Sequence, residues 1–311
     1  MGTPSFAVPS LRALLRSRHP VAAVVTQPDR PAGRGLKVHA SPVRALAEAG
    51  GLRVLQPAKI RTSEFLEEVR GLGPDILVVV AFGRILPPAL LEAAPRGGVN
   101  VHASLLPRYR GAAPIAWAIA NGEMETGVTT MRMVEKLDAG EILLQVSTPI
   151  GAAETTAQIE PRLAEMGASL LLETLDALEG EQIALLPQRE DLATFAPVIK
   201  KEDGRIDWAM SAGGIACRVR AFDPWPGAFT TARGKAIRIW RAAGEPPDAR
   251  PEAGGGEPPG RIVRAGGGVV GVRCGGGTLL RLAEVQPEGR RRMTAAEAVA
   301  GRYFAAGDHL G

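Results

Sequence analysis

Aromatic residues make up only 4% of the 311 residues, so alanine and aliphatic packing has to build the interior. Cysteine is scarcer still. Cys217 and Cys274 stand too far apart for a zinc spacing or a redox pair, and they read as two buried thiols. No apolar run nears the roughly 20 residues that a membrane-spanning helix needs. A charged-then-apolar leader is lacking too, which makes a soluble intracellular chain the expectation. Also lacking is a glycine-rich turn after a first strand with an acidic residue about 20 positions on. Gly33 and Gly35 are too sparse for that fingerprint, which argues against a dinucleotide-dependent oxidoreductase.

What the chain does have is glycine and proline, much of the excess in residues 243–260, and charge unevenly placed. Residues 1–204 hold 21 Lys/Arg against 23 Asp/Glu, whereas residues 205–311 hold 16 against 10, a net of +6. A basic C-terminal third suits a polyanionic partner such as nucleic acid. A well-solvated, arginine-rich domain has the same balance.

Hydrophobic patterning divides the chain. Short β-type runs at 21–26, 75–81, 98–102, 127–134 and 141–150 alternate with helical stretches over 9–17, 41–50, 63–72, 87–93 and 115–121. This predicts an α/β fold with a doubly wound, mostly parallel sheet. Ile159, Leu163, Met166, Leu170, Leu171, Leu175 and Leu178 recur at helical spacing and predict one long amphipathic helix over 154–180. Residues 185–203 read as a polar linker. Beyond them, β-type runs at 228–240, 260–264, 268–274 and 278–285 between glycine-rich turns predict a small C-terminal β-barrel, with a loop over 245–260. The expected domains are 1–184, a linker over 185–204, and 205–311. Gly2-Thr3-Pro4 reads as a strand-to-helix turn with no strand before it, so the sheet is expected to lack its first strand.

Asn100 and His102 stand two apart at the end of a predicted strand and so share a face. In parallel sheets ligands bind at that end of the strands. A neutral imidazole can take a proton from an attacking amine, and a carboxamide can donate to a developing oxyanion. An isolated pair of this kind is more often a capping Asn and a structural His. Asp138, before Ala139-Gly140, reads by itself as a turn residue. The loop over 26–37 is basic through Arg30, Arg34 and Lys37, and the planar guanidinium suits phosphate. Trp208 and Trp225 read as core anchors.

The surrounding residues narrow these alternatives. The run NVHASLLPRYRGAAPI over 100–115 resembles the signature of the folate-dependent formyltransferases, and Leu137-Asp138-Ala139-Gly140-Glu141-Ile142-Leu143 is similar to that family's second element. The resemblance implies a Rossmann-like formyltransferase domain followed by an OB-like barrel, with Asn100, His102 and Asp138 as the catalytic set. It implies 10-formyl-tetrahydrofolate as formyl donor and no metal. Ser104, Leu105, Leu106 and Pro107 line the folate pocket by carry-over, with Phe82 and Gly83 beside the pterin. Phe82 stands where Tyr is expected, and Arg84 where an uncharged residue is usual.

Residues 26–37, 200–208, 219–228 and 282–290 resemble the branch that formylates methionyl initiator tRNA. That implies tRNA contacts at Arg30, Arg34, Lys37, Lys200, Lys201, Arg218 and Arg220, with the run 290–292 as a further phosphate surface, in a cytoplasmic monomer. A formyltransferase acting on a small amine would share Asn100, His102 and Asp138 but has no evident use for the basic loop or the second domain. An RNA-binding module without catalysis would be suggested by a broken trio, and the trio is intact.

Overall fold

The computed structural model describes residues 1–29, 31–32, 37–244, 258–265 and 269–311, so most of the loop expected over 245–260 lies outside the described residues. The chain divides into two compact units. One comprises Met1–Pro114, Glu125–Pro149 and Glu160–Pro197, the other Ile115–Met124, Ile150–Ile159 and Val198–Gly311. No helix among the described residues is long and apolar enough to cross a membrane.

Through the first unit the elements run α1 (Val8–Arg16), β1 (Val24–Val25), β2 (Pro31–Ala32), β3 (Lys37–Val38), α2 (Pro42–Ala49), β4 (Val54–Leu55), α3 (Ser63–Gly71), β5 (Leu77–Val80), α4 (Pro88–Leu91) and β6 (Gly98–His102). There follow β7 (Arg110–Gly111), α5 (Pro114–Ala120, which from Ile115 belongs to the other unit), β8 (Glu125–Arg132), β9 (Ile142–Pro149), α6 (Thr156–Glu179, in the first unit from Glu160) and β10 (Phe195–Ala196). Local chemistry sets the helix starts. Ser41 Oγ accepts from the Arg44 amide and Thr62 Oγ1 from the Phe65 amide, while Pro42 fills a first-turn position where no amide bond is lost.

The four-stranded sheet runs in the order β5-β6-β8-β9. Only β5 and β6 pair in parallel there; β6–β8 and β8–β9 are antiparallel, so the sheet is mixed, and the strands expected at 127–134 and 141–150 are not parallel members. For β8 and β9 the physical reason is the short turn over 133–141, which allows a reversal and leaves no room for a crossover helix. Leu77 and Val79 of β5 join a core with Phe65, Val69 and Leu90, supplied by α3 and α4. Val101 of β6 turns the other way, onto α6, where a Cβ at Gly167 would lie 2.8 Å from its Cγ1. By strand alternation, Asn100 and His102 face away from α6.

The place expected for a missing first strand is partly filled. Gly2 bridges Val80 in parallel and its amide donates to the Val25 carbonyl at 3.0 Å, while the Val80 amide donates to the Met1 carbonyl at 2.9 Å. The Met1 amino group donates to the Val78 carbonyl, and burial holds its pKa down to about 5. Two residues thus connect β1 to β5 through backbone bonds. Beside them lies a cavity of about 370 Å³ with largely apolar walls, among them Leu11, Leu14, Val24, Leu77 and Leu175.

The second unit carries α7 (Ala212–Ala221), β11 (Ala228–Ala232), β12 (Lys235–Gly244), β13 (Ile262–Ala265), β14 (Val269–Arg273), β15 (Leu279–Pro287), β16 (Met293–Thr294) and α8 (Ala295–Ala300). Its strands form an antiparallel sheet in the order β11-β12-β15-β14-β13, with β16 also on β15. Irregular register around Arg241 bends β12, the usual device for curling a sheet. Among the described residues no ladder joins β11 to β13, so this is half a barrel and not a closed one. Its core includes Trp208, Ile215, Val219, Ile239, Val272, Leu280 and Phe304. Trp208 is an anchor as expected, its Nε1 donating to Thr230 Oγ1. Trp225 is not. It is 58% exposed, because it sits on the turn between α7 and β11, outside the alternation that turns side chains inward. Cys274 is buried, with its thiol pushed up to about 12, and Cys217 is half-buried on α7.

Candidate active site

His102 closes β6, where its ladder to Thr129 ends and the chain turns into residues 103–109. Its imidazole is buried. Nε2 lies 2.9 Å from the Tyr109 carbonyl, and Nδ1 lies 3.7 Å from Asp138 Oδ2. A carbonyl can only accept, so the Nε2 position carries the ring proton and Nδ1 holds the lone pair of the neutral ring. The open base position therefore faces Asp138.

Asp138 occupies a left-handed conformation with φ 47°, one that Asp tolerates better than most residues. The Gly111 amide donates to its Oδ2 at 2.8 Å. Gly140 explains the glycine of the motif: a Cβ there would lie 1.9 Å from the Arg132 carbonyl oxygen. Gly111 is just as constrained, with φ 122° and only 2.6 Å between a Cβ and the Ala196 carbonyl. Asn100 is half-buried, and its carboxamide has no hydrogen-bond partner among the described residues. The strand thus presents an uncommitted amide donor on the same face as an imidazole with a free lone pair.

The loop after His102 is tied down at several points. Ser104 Oγ donates to the Arg108 carbonyl at 2.7 Å. Thr129 Oγ1, from β8, donates to the Ser104 carbonyl at 2.6 Å and accepts from the Leu106 amide at 3.1 Å. Gln145 of β9 donates to both the Leu106 carbonyl and Thr129 Oγ1. Ser104 and Leu106 are buried by this arrangement, whereas Leu105 and Pro107 keep part of their surface. Thr129 and Gln145 carried no motif signal; only the antiparallel pairing of β8 and β9 brings them under the loop.

Phe82 is 2% exposed and packs in the core, its carbonyl accepting from Gln27 Nε2 at 2.7 Å. Gly83 follows with φ 74°. Arg84 donates to the Pro57 carbonyl.

The model of the formyl transferase family matches residues 1–175, and the model of the formyl transferase C-terminal domain matches residues 198–303. The chain belongs to the formyl transferase family. It is 49% identical over 314 residues to the methionyl-tRNA formyltransferase of Citrifermentans bemidjiense, a match covering 100% of this chain and 95% of that one. It is 49% identical over 311 residues to the methionyl-tRNA formyltransferase of Moorella thermoacetica, covering 100% and 98%. A crystal structure of an N-formyltransferase from Helicobacter canadensis, in complex with folinic acid and dTDP-3-aminofucose, shares the fold. Its TM-score is 0.66 at 18% identity, with 92% of this chain and 97% of that one covered.

The cations expected to meet tRNA fare unevenly. Arg30 and Arg34, and the side chain of Lys37, lie outside the described residues. Lys200 and Lys201 are exposed. Arg218 is half-buried over the Phe222 ring, and its Nε has no partner among the described residues. Arg220 is committed within its own unit, donating to the Glu154 carbonyl at 3.0 Å and to Cys217 Sγ at 3.3 Å. Sequence reasoning gave Trp240 no role. Arg292 stacks 3.7 Å from its ring centroid and Arg238 5.9 Å from it, so the curled sheet carries an arginine–tryptophan cluster.

Proposed function

We propose that this protein transfers the formyl group of 10-formyl-tetrahydrofolate to the α-amino group of methionyl initiator tRNA. The observation that carries the reading is the His102 ring, its Nε2–H committed to the Tyr109 carbonyl and its Nδ1 lone pair beside the Asp138 carboxylate. The folate supplies an already activated formyl group, so the protein's task is to place an amine, move a proton and hold an oxyanion. His102 Nδ1 takes the proton released as the amine attacks, and the adjacent carboxylate stabilises the imidazolium so formed. The uncommitted Asn100 carboxamide donates to the tetrahedral oxyanion. The proton then passes to the departing folate nitrogen.

In this reading Ser104, Leu105, Leu106 and Pro107 shape the folate pocket. Leu105 and Pro107 do so through side chains, and the buried Ser104 and Leu106 by holding the backbone. Gly83 and the backbone of Phe82 flank the pterin, because the Phe82 ring is spent in the core. Residues 1–184 act as the catalytic domain, 185–204 as the connection and 205–311 as the tRNA-binding domain. Arg30, Arg34, Lys37, Lys200, Lys201 and Arg218 contact phosphate, with Arg220 in a supporting part. The protein works as a monomer in the cytoplasm. A small-amine acceptor is less well supported, since relatives spanning the whole chain are methionyl-tRNA formyltransferases.

Radioformyl transfer measured with charged initiator tRNA, charged elongator tRNA and methionine alone tests the proposal. Transfer to the initiator species only is the expected result. Equal labelling of elongator tRNA removes initiator specificity, and labelling of free methionine removes the tRNA requirement.

A further inference from the structure

Arg110 is the largest fully buried side chain among the described residues, and it carries a charge. A buried guanidinium persists only where acceptors surround it. Here Nε and Nη2 both donate to Gln188 Oε1, at 3.0 and 2.8 Å, while Nη1 and Nη2 donate to the two carboxylate oxygens of Glu190 at 3.2 and 3.0 Å. Two donors on one oxygen fix which way the Gln188 amide points. Its Nε2 is turned to the opposite side, where it donates to the carbonyls of Asp138 at 2.9 Å and Gly140 at 2.6 Å. Both amide hydrogens are used, and both bonds fall on the turn that holds Asp138 at positive φ.

From this chain of contacts we infer that Arg110 and Gln188 are positioning residues for the formyl transfer: together they clamp the Asp138 turn from its carbonyl side and so set the carboxylate against His102. The neighbour of Arg110 completes the hold from the other side, because the Gly111 amide binds Asp138 Oδ2 itself. One short strand, β7, thereby grips both ends of the same residue. A left-handed Asp released from these bonds relaxes toward ordinary backbone, carrying its carboxylate away from Nδ1. Residues 185–203, read in sequence as a linker, supply Gln188 and Glu190, and Phe195–Ala196 pair with Arg110–Gly111. The inference rests on the proposed roles of His102 and Asp138.

Gln188→Leu removes the donors to the turn, and Asp138→Asn removes the group being positioned. Initiator tRNA formylation by the full-length protein is measured for both variants and for the double variant. We expect kcat to fall about 10²-fold in Gln188→Leu, since a displacement of about 1 Å costs on that order. KM for the folate and for the tRNA should stay within about twofold. In the Asp138→Asn background the same change should cost less than about twofold more. An unchanged kcat in the wild-type background, or an equal loss in both, overturns the clamp.

If Gln188→Leu does not fold, Gln188→Glu keeps an acceptor for Arg110, sets an acceptor in place of the donor to residues 138 and 140, and is read in the same way. A readout independent of activity separates this inference from the functional proposal. The NMR signals of the His102 ring, assigned with His102→Ala, should move in Gln188→Leu toward those of Asp138→Asn. Unmoved signals overturn the clamp even where the wild type formylates nothing.

Discussion

Asp138 Oδ2 lies 2.8 Å from the Gly111 amide nitrogen and 3.7 Å from His102 Nδ1, so one oxygen answers both a fixed backbone donor and a titratable ring. The backbone donor cannot rotate away, and it holds the carboxylate in place beside the ring. His102→Ala should lower kcat by at least about 10²-fold, with folate binding retained, because the proton acceptor goes while the pocket wall stays. Asp138→Asn should fall in the same range. An unchanged single-turnover rate for His102→Ala removes the ring from proton transfer.

Thr129 predicts a different phenotype. Thr129→Val keeps the shape but strands the Leu106 amide and frees the Ser104 carbonyl, and a buried group left unpaired costs about 1–3 kcal/mol. The folate KM should rise several-fold with a smaller change in kcat, alongside a lower Tm. A fall in Tm with KM unaltered means that the 104–107 loop is not the folate wall.

Gly140→Ala brings a methyl group against the Arg132 carbonyl oxygen, a backbone atom that cannot turn aside. Overpacking of this kind costs about 1–3 kcal/mol, and the displaced turn carries Asp138 with it. Stability and kcat should therefore drop together. Thermal unfolding equal to wild type would falsify the close approach.

Acid stability should depend on Glu190. Hydrogen bonds from Arg110 first, then Lys136, hold its carboxyl at about 2, below the ordinary value of 4.5. A depressed carboxyl stabilises the folded state fully above pH 4.5, and that contribution is lost as pH falls from there toward 2. Wild type and Glu190→Gln should differ in urea midpoint at pH 6 and converge as pH falls toward 2. A gap that stays constant over this range excludes the ion pair as its source.

The strand that carries Asn100 and His102 was legible from sequence because alternation and spacing act locally: two residues apart on a strand means one face. The L-D-x-G turn was legible for the same reason, since a left-handed Asp and a glycine pressed on Arg132 leave local marks. The antiparallel direction of β8 and β9 was not, as an apolar run looks the same whichever way it pairs. Nor were Thr129, Gln145 and Gln188, polar residues whose partners lie 16 to 78 positions away and are met only once strands pair. Trp225 misled because a large aromatic usually signals core, and position on a turn overrode that tendency.

The bracing of Arg110 by residues near 190 has a consequence for synthesis. His102, Gly111 and Asp138 leave the ribosome well before Gln188 and Glu190, and for that interval the Arg110 guanidinium has neither of these acceptors. A nascent chain ending near residue 175 therefore contains His102, Gly111 and Asp138 without the segment that supplies Gln188 and Glu190. The contacts on that turn are thus completed late in translation, when a stretch without long helices or strands emerges and closes the turn it was never adjacent to in sequence.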